Sequence, residues 1–199
     1  MKTINKGKMS TETLVMAAVM TALVIVFQLL GTFTAFFGPF STAVALIPIV
    51  IGAALCGPWI GGWLGFVFGM VVLLSGGATL FLNYSIAGTI ITVLVKGTAC
   101  GLAAGFVYEL LKKVNRYVAV LAAAIVCPVV NTGVFLLGGL VFFMDDAAEI
   151  ATAVGLNTSG FGVFMALATA NFLFELGMNI VLSPVSVRLL TIRGKNQSR

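Results

Sequence analysis

The stretch NYSIAGTIITVLVKGTACGLAAGFVYELLKK, residues 83–113, decides the fold. From Ser85 to Tyr108 its only charged residue is Lys96, after which Glu109, Lys112 and Lys113 follow in quick succession. An apolar run of this length matches the ~20 residues that a helix needs to cross the ~30 Å hydrocarbon core of a bilayer. The basic pair at its end marks the side on which the crossing stops.

Comparable runs lie on both sides of this segment, and the spacing predicts helices over about 13–30, 42–55, 59–74, 83–111, 118–143 and 161–190. The chain has 199 residues, 60% of them hydrophobic and 9% charged, too apolar for a water-soluble domain of that size. The reading is an all-α integral membrane protein, a six-transmembrane-helix bundle forming one domain over residues 1–199. Every Lys and Arg except Lys96 can be placed on one side of such a bundle, and the opposite side carries only Asp145, Asp146 and Glu149. By the positive-inside rule both termini then lie in the cytoplasm. The net charge of +5 is explained by basic residues at span ends near anionic lipid, so no nucleic-acid partner is expected. Lys2, Lys6 and Lys8 precede an apolar stretch that lacks a small-residue cleavage site, which reads as a retained first helix.

Several chemistries are disfavoured. Cys56, Cys100 and Cys127 are too few and too widely spaced for a disulfide framework or a zinc site. With no histidine, the usual metalloprotease, haem and His-dependent nucleophile constellations are excluded. No Gly-x-Ser-x-Gly or paired-carboxylate motif marks an intramembrane enzyme.

Polar residues inside apolar spans are the candidate functional groups, because they are costly in hydrocarbon unless satisfied. Asn171, Glu175, Asn179 and Ser183 recur every four residues, and Ser85, Thr89, Thr92 and Lys96 form a second stripe at steps of four, three and four. Both stripes should face the bundle interior. Lys96 and Glu175 lie at similar depth and are expected to approach each other, directly or through a water. That pair can fix helix packing, stand near a ligand, or less readily relay protons. In the fifth helix Pro128 removes a backbone donor and interrupts the helix, with Asn131 and Thr132 one turn further on, a pattern that suits either ligand binding or an interhelical hydrogen bond. Asn83 and Tyr84 stand at the outer mouth, where Tyr also serves as an interface anchor. Trp63 and the aromatic loop containing Phe36 concentrate rings in the outer half, as lipid anchors or as pocket lining.

Small residues form two further patterns. Gly57, Gly61, Gly65 and Gly69, and likewise Gly97, Gly101 and Gly105, recur every four residues and allow close helix packing. Ala18 and Ala22 give the first helix a smooth patch suited to sliding contact with another subunit.

In its span number, Ala18-x-x-x-Ala22, Gly-rich third helix, glycine break before the fourth helix and Pro128-Val129-Val130-Asn131-Thr132-Gly133, the chain resembles the S components of energy-coupling-factor (ECF) vitamin transporters. It looks most like the pantothenate and folate branch. The resemblance implies a prokaryotic plasma-membrane subunit that captures a vitamin from outside and docks through Ala18 and Ala22 on a transmembrane coupling subunit. It would release the vitamin inside by toppling, with ATP hydrolysed by two separate ATPase subunits and no cofactor in this chain. Consistent with that division, the sequence has no Gly-x-x-x-x-Gly-Lys-Ser/Thr loop. Implied ligand-binding residues are Asn83, Tyr84, Asn131, Thr132, Asn171, Lys96, Glu175, Trp63 and Phe36. Pantothenate is preferred, folate or another micronutrient remains open, and a stand-alone secondary transporter is the alternative from another class.

Overall fold

The computed structural model describes residues 10–34 and 44–196. Within them the chain is helical and holds no strand: α1 Thr11–Thr34, α2 Leu46–Cys56, α3 Pro58–Leu74, α4 Thr79–Leu82, α5 Ile86–Leu111, α6 Arg116–Phe142, α7 Ala147–Ala153 and α8 Phe161–Asn196. Four of these are long and apolar enough to cross a membrane, over Thr11–Thr32, Ile86–Leu111, Arg116–Phe142 and Phe161–Pro184. The other two expected spans, α2 and α3, are apolar but have 11 and 17 residues. At ~1.5 Å per residue α2 is only ~16 Å long.

The shortness of α2 goes with its place in the bundle. It packs against α1, α3, α5, α6 and α8, and Leu46, Pro48, Ile49, Val50, Ile51, Gly52 and Ala53 are all buried. A helix enclosed by other helices gains nothing from an apolar stripe over an apolar surround, so it is hydrophobic on every side. The outer helices show the complementary pattern. Leu14, Val19, Leu29 and Leu30 on α1, and Leu137 and Val141 on α6, are exposed, an apolar exterior that calls for lipid.

Local signals place the helix ends. Gly57 adopts φ 96° between α2 and α3, a left-handed conformation open to glycine at little cost, and Pro58 then starts α3. The Ser85 side chain caps α5 by accepting from Gly88 N at 3.1 Å, and Asn115 Oδ1 caps α6 by accepting from Tyr117 N at 2.8 Å. Several features differ from the sequence reading: α1 runs on to Thr34, α2 begins only at Leu46 and α8 continues to Asn196. Asn83 and Tyr84 lie in a turn between α4 and α5 rather than in the long helix. α6 runs unbroken through Pro128, so the expected interruption does not occur.

The glycine repeats of α3 and α5 interlock. A Cβ on Gly65 would run into the backbone carbonyl of Gly97, one on Gly97 into that of Gly65, and one on Gly61 into that of Gly101. These pairs give an antiparallel seam in which backbone touches backbone. The next pairs keep the register: Gly69 would meet the Val93 carbonyl at 2.9 Å, and Gly105 faces Pro58. No flexible side chain stands there to yield. Gly65→Ala is therefore expected to destabilise the chain by more than about 2 kcal/mol, read as a lowered melting temperature in detergent. Gly133→Ala, whose Cβ would meet nothing within 4 Å, should leave it unchanged.

Candidate functional site

Helices α1, α3, α4, α5, α6 and α8 surround a cavity of about 500 Å³. It lies toward the end of the bundle at which α3 finishes and α5 begins, since Gly76, Gly77 and Thr79 of that connection form part of its wall. Asp145, Asp146 and Glu149, between α6 and α8, belong to the same end. Such a volume falls within the ~300–1,000 Å³ usual for small-molecule sites.

The polar lining is sparse and drawn from separate helices: Gln28 and Thr32 of α1, Thr79 of α4, Lys96 of α5, Asn131 and Thr132 of α6, and Asn171 of α8. Apolar lining comes from Val72, Leu80, Phe81, Phe135, Leu167 and Ala168. Among the described residues no acidic side chain lines the cavity. Thr32 is tied across the wall, its Oγ1 lying 3.1 Å from Ser75 Oγ, so the end of α1 is joined to the turn after α3.

Glu175 sits behind this wall with no exposed surface. Asn131 Nδ2 donates to its carboxyl oxygens at 3.2 and 3.5 Å, and Asn171 Nδ2 donates to Oε1 at 3.0 Å. One turn further on, Asn179 Nδ2 donates to the Glu175 backbone carbonyl at 2.8 Å. A carboxyl in an apolar interior needs hydrogen bonds to offset lost hydration, and here the two amides supply them. Asn171, Glu175 and Asn179 of the α8 stripe thus face inward as their spacing required, whereas Ser183 donates to the Ile180 carbonyl in an exposed bond, and Asn131 provides the cross-helix bond from α6.

Lys96 and Glu175 come within electrostatic reach of each other without direct contact: among the described residues no carboxylate lies within 4.0 Å of the Lys96 ammonium. Its nitrogen stands 5.7 Å from the ring centre of Phe135 and 6.0 Å from that of Phe68. Ring faces attract a cation at such distances, by about 0.5–2 kcal/mol. About 15 Å along α5 from Ile86, Lys96 is the one cation in the cavity wall among the described residues.

The other sequence-derived candidates divide. Lys96, Asn131, Thr132 and Asn171 meet at the cavity, with Glu175 behind them. Asn83, Tyr84 and Trp63 do not line it. Asn83 is exposed, Tyr84 packs on the small apolar cluster around Phe143 and Ile150, and Trp63 lies on the surface stacked on Phe66. Phe36 lies outside the described residues. Ala18 and Ala22 are both exposed on α1. Sequence reasoning missed Gln28, Thr32 and Thr79. The signal for the first was present: Gln28 is the lone amide side chain in the first apolar run.

Removing one amide from Glu175 leaves a buried acceptor short of a donor, at a cost of about 1–3 kcal/mol. Asn131→Leu should lower stability in detergent by that amount, and most of the loss should vanish when Glu175 is Leu as well, since neighbouring groups of one network are not additive. Equal losses in both backgrounds would remove the network from the account.

Comparison with known proteins identifies the family. The family model described as ECF transporter, substrate-specific component matches residues 12–187, from the start of α1 well into α8. No curated protein and no solved structure matches significantly. With an all-helical, lipid-suited exterior, a cavity of ligand size and a match over most of its length, the chain belongs to the family of ECF transporter substrate-specific components.

Proposed function

We propose that this chain captures pantothenate from outside a prokaryotic cell and hands it to an ATP-driven importer. The family membership implies a small-molecule substrate and a membrane-embedded coupling and ATPase module. The observation that carries the choice of substrate is the cavity wall. Its one ammonium, Lys96, shares the lining with amides and hydroxyls, and no acidic residue is among the described lining. Pantothenate brings one carboxylate, two hydroxyls and an amide. Folate brings two carboxylates and a large pterin, which would call for a second cation.

In this reading the bundle crosses the membrane six times with both termini in the cytoplasm, because the Lys112, Lys113 and Arg116 end is the positive one. The cavity then opens outward. Asn131, Thr132 and Asn171 hold the polar groups of the vitamin, and the carboxylate pairs with Lys96. The face of α1 around Ala18 and Ala22 docks on the transmembrane coupling subunit, and the chain topples to release the vitamin inside. ATP is hydrolysed by two cytoplasmic ATPase subunits, and this chain carries no cofactor. Glu175, already engaged by two amides, serves the packing of α6 on α8, which weakens the case for a proton-coupled transporter working alone.

Calorimetry on the detergent-purified chain checks the assignment of Lys96. A charge-assisted hydrogen bond is worth about 1.5–3 kcal/mol, so Lys96→Met should weaken pantothenate binding roughly 10- to 100-fold. Pantothenol, in which an alcohol replaces the carboxylate, should bind wild type and variant alike. Unchanged pantothenate affinity in Lys96→Met would overturn the assignment.

A further inference from the structure

We propose that Gln28 is a ligand-binding residue, an acceptor reserved for a hydroxyl or N–H donor on the substrate, so that α1 takes part in recognition. The inference rests on the reading of the cavity as the substrate site.

Gln28 belongs to the buried face of α1, with 2% of its surface exposed, and it lines the cavity. Its Oε1 is shielded and, among the described residues, accepts no hydrogen bond. Buried amide oxygens are nearly always paired, and an orphan calls for an explanation. A structural glutamine in a membrane helix would bond a neighbouring helix, as Asn131 bonds Glu175.

The other orphans sharpen the contrast. Asn131 Oδ1 is also buried and without a donor, although the amide nitrogen of the same side chain is committed to Glu175. Thr92 Oγ1, the third, is outside the cavity wall and packs on Gly138. Two of the three orphans belong to cavity-lining side chains, the amide oxygens of Gln28 on α1 and Asn131 on α6. They are acceptors, whereas Lys96 is a donor. A ligand satisfying all three carries an anionic end together with two separate hydroxyl or N–H donors, which is the chemistry of a hydroxylated, amide-bearing monocarboxylate.

The position of Gln28 gives this contact a consequence. Ala18 and Ala22 are exposed on the same helix that carries Gln28 on its buried face. A ligand bonded to Gln28 holds α1 against the bundle near the Thr32 and Ser75 contact. Cavity occupancy and the posture of the small-residue face thereby become linked.

The test compares wild type with Gln28→Met, a substitution of similar shape that removes the acceptor. Each full-length chain is purified in detergent, and its ligand-free melting temperature and pantothenate affinity are measured. The expected result is a melting temperature equal to or above that of wild type and pantothenate binding at least 10-fold weaker. A melting temperature several degrees lower, or failure to fold, makes Gln28 structural and overturns the proposal. Unchanged affinity with unchanged stability overturns it as well. If wild type binds no pantothenate, the choice of vitamin fails by itself, and the melting comparison still bears on Gln28: a melting temperature equal to or above that of wild type supports its being kept for a ligand, and a fall overturns it.

Discussion

A buried carboxyl group that must find its hydrogen bonds away from bulk solvent governs the arrangement around the cavity. Glu175 has no exposed surface, and its oxygens accept from Asn131 on α6 and Asn171 on its own helix. Lys96 on α5 makes no direct contact with it, standing beyond 4.0 Å but within reach of its charge. Lys96 is left among aromatic rings, with its ammonium toward the cavity. Two amides hold the acid behind the wall, and the base is the one of the two charges that lines the cavity.

The glycine seam serves the same end at a distance. Backbone contact between Gly61, Gly65, Gly97 and Gly101 draws α3 and α5 together along their length. That contact fixes the depth of Lys96 relative to Phe68, since Gly97 and Lys96 are sequence neighbours and Phe68 lies one turn beyond Gly65. Close packing of small residues is one of the few strong attractions between helices in lipid, where burial of apolar groups offers no gain over the acyl chains. The position of the cation thus depends on residues that never touch it.

Much of this was legible in the sequence because the membrane restricts what polar residues can do. The inward stripes of α5 and α8 followed from spacing alone: Thr89, Thr92, Glu175 and Asn179 are all buried. So did the internal use of the glycine repeats. What spacing left open was partner choice. Helical period places Lys96 and Glu175 at one depth but says nothing about which of several neighbours within reach a side chain takes, and Asn131 and Asn171 took the carboxyl. Aromatic residues were equally ambiguous. Trp63 and Phe135 look alike in sequence, yet one faces the exterior and the other the cavity. Gln28 escaped notice because a single amide has no periodic companion.

The central claim is that the cavity opens to the cell exterior and holds the vitamin. Thr132, in its wall, gives a direct test through Thr132→Cys in a chain whose Cys56 is replaced by Ala. Intact cells producing it are treated with a membrane-impermeant thiol reagent, with and without pantothenate. The account requires labelling from outside that pantothenate suppresses. Labelling only after the cells are opened, or labelling that the vitamin leaves untouched, would contradict it.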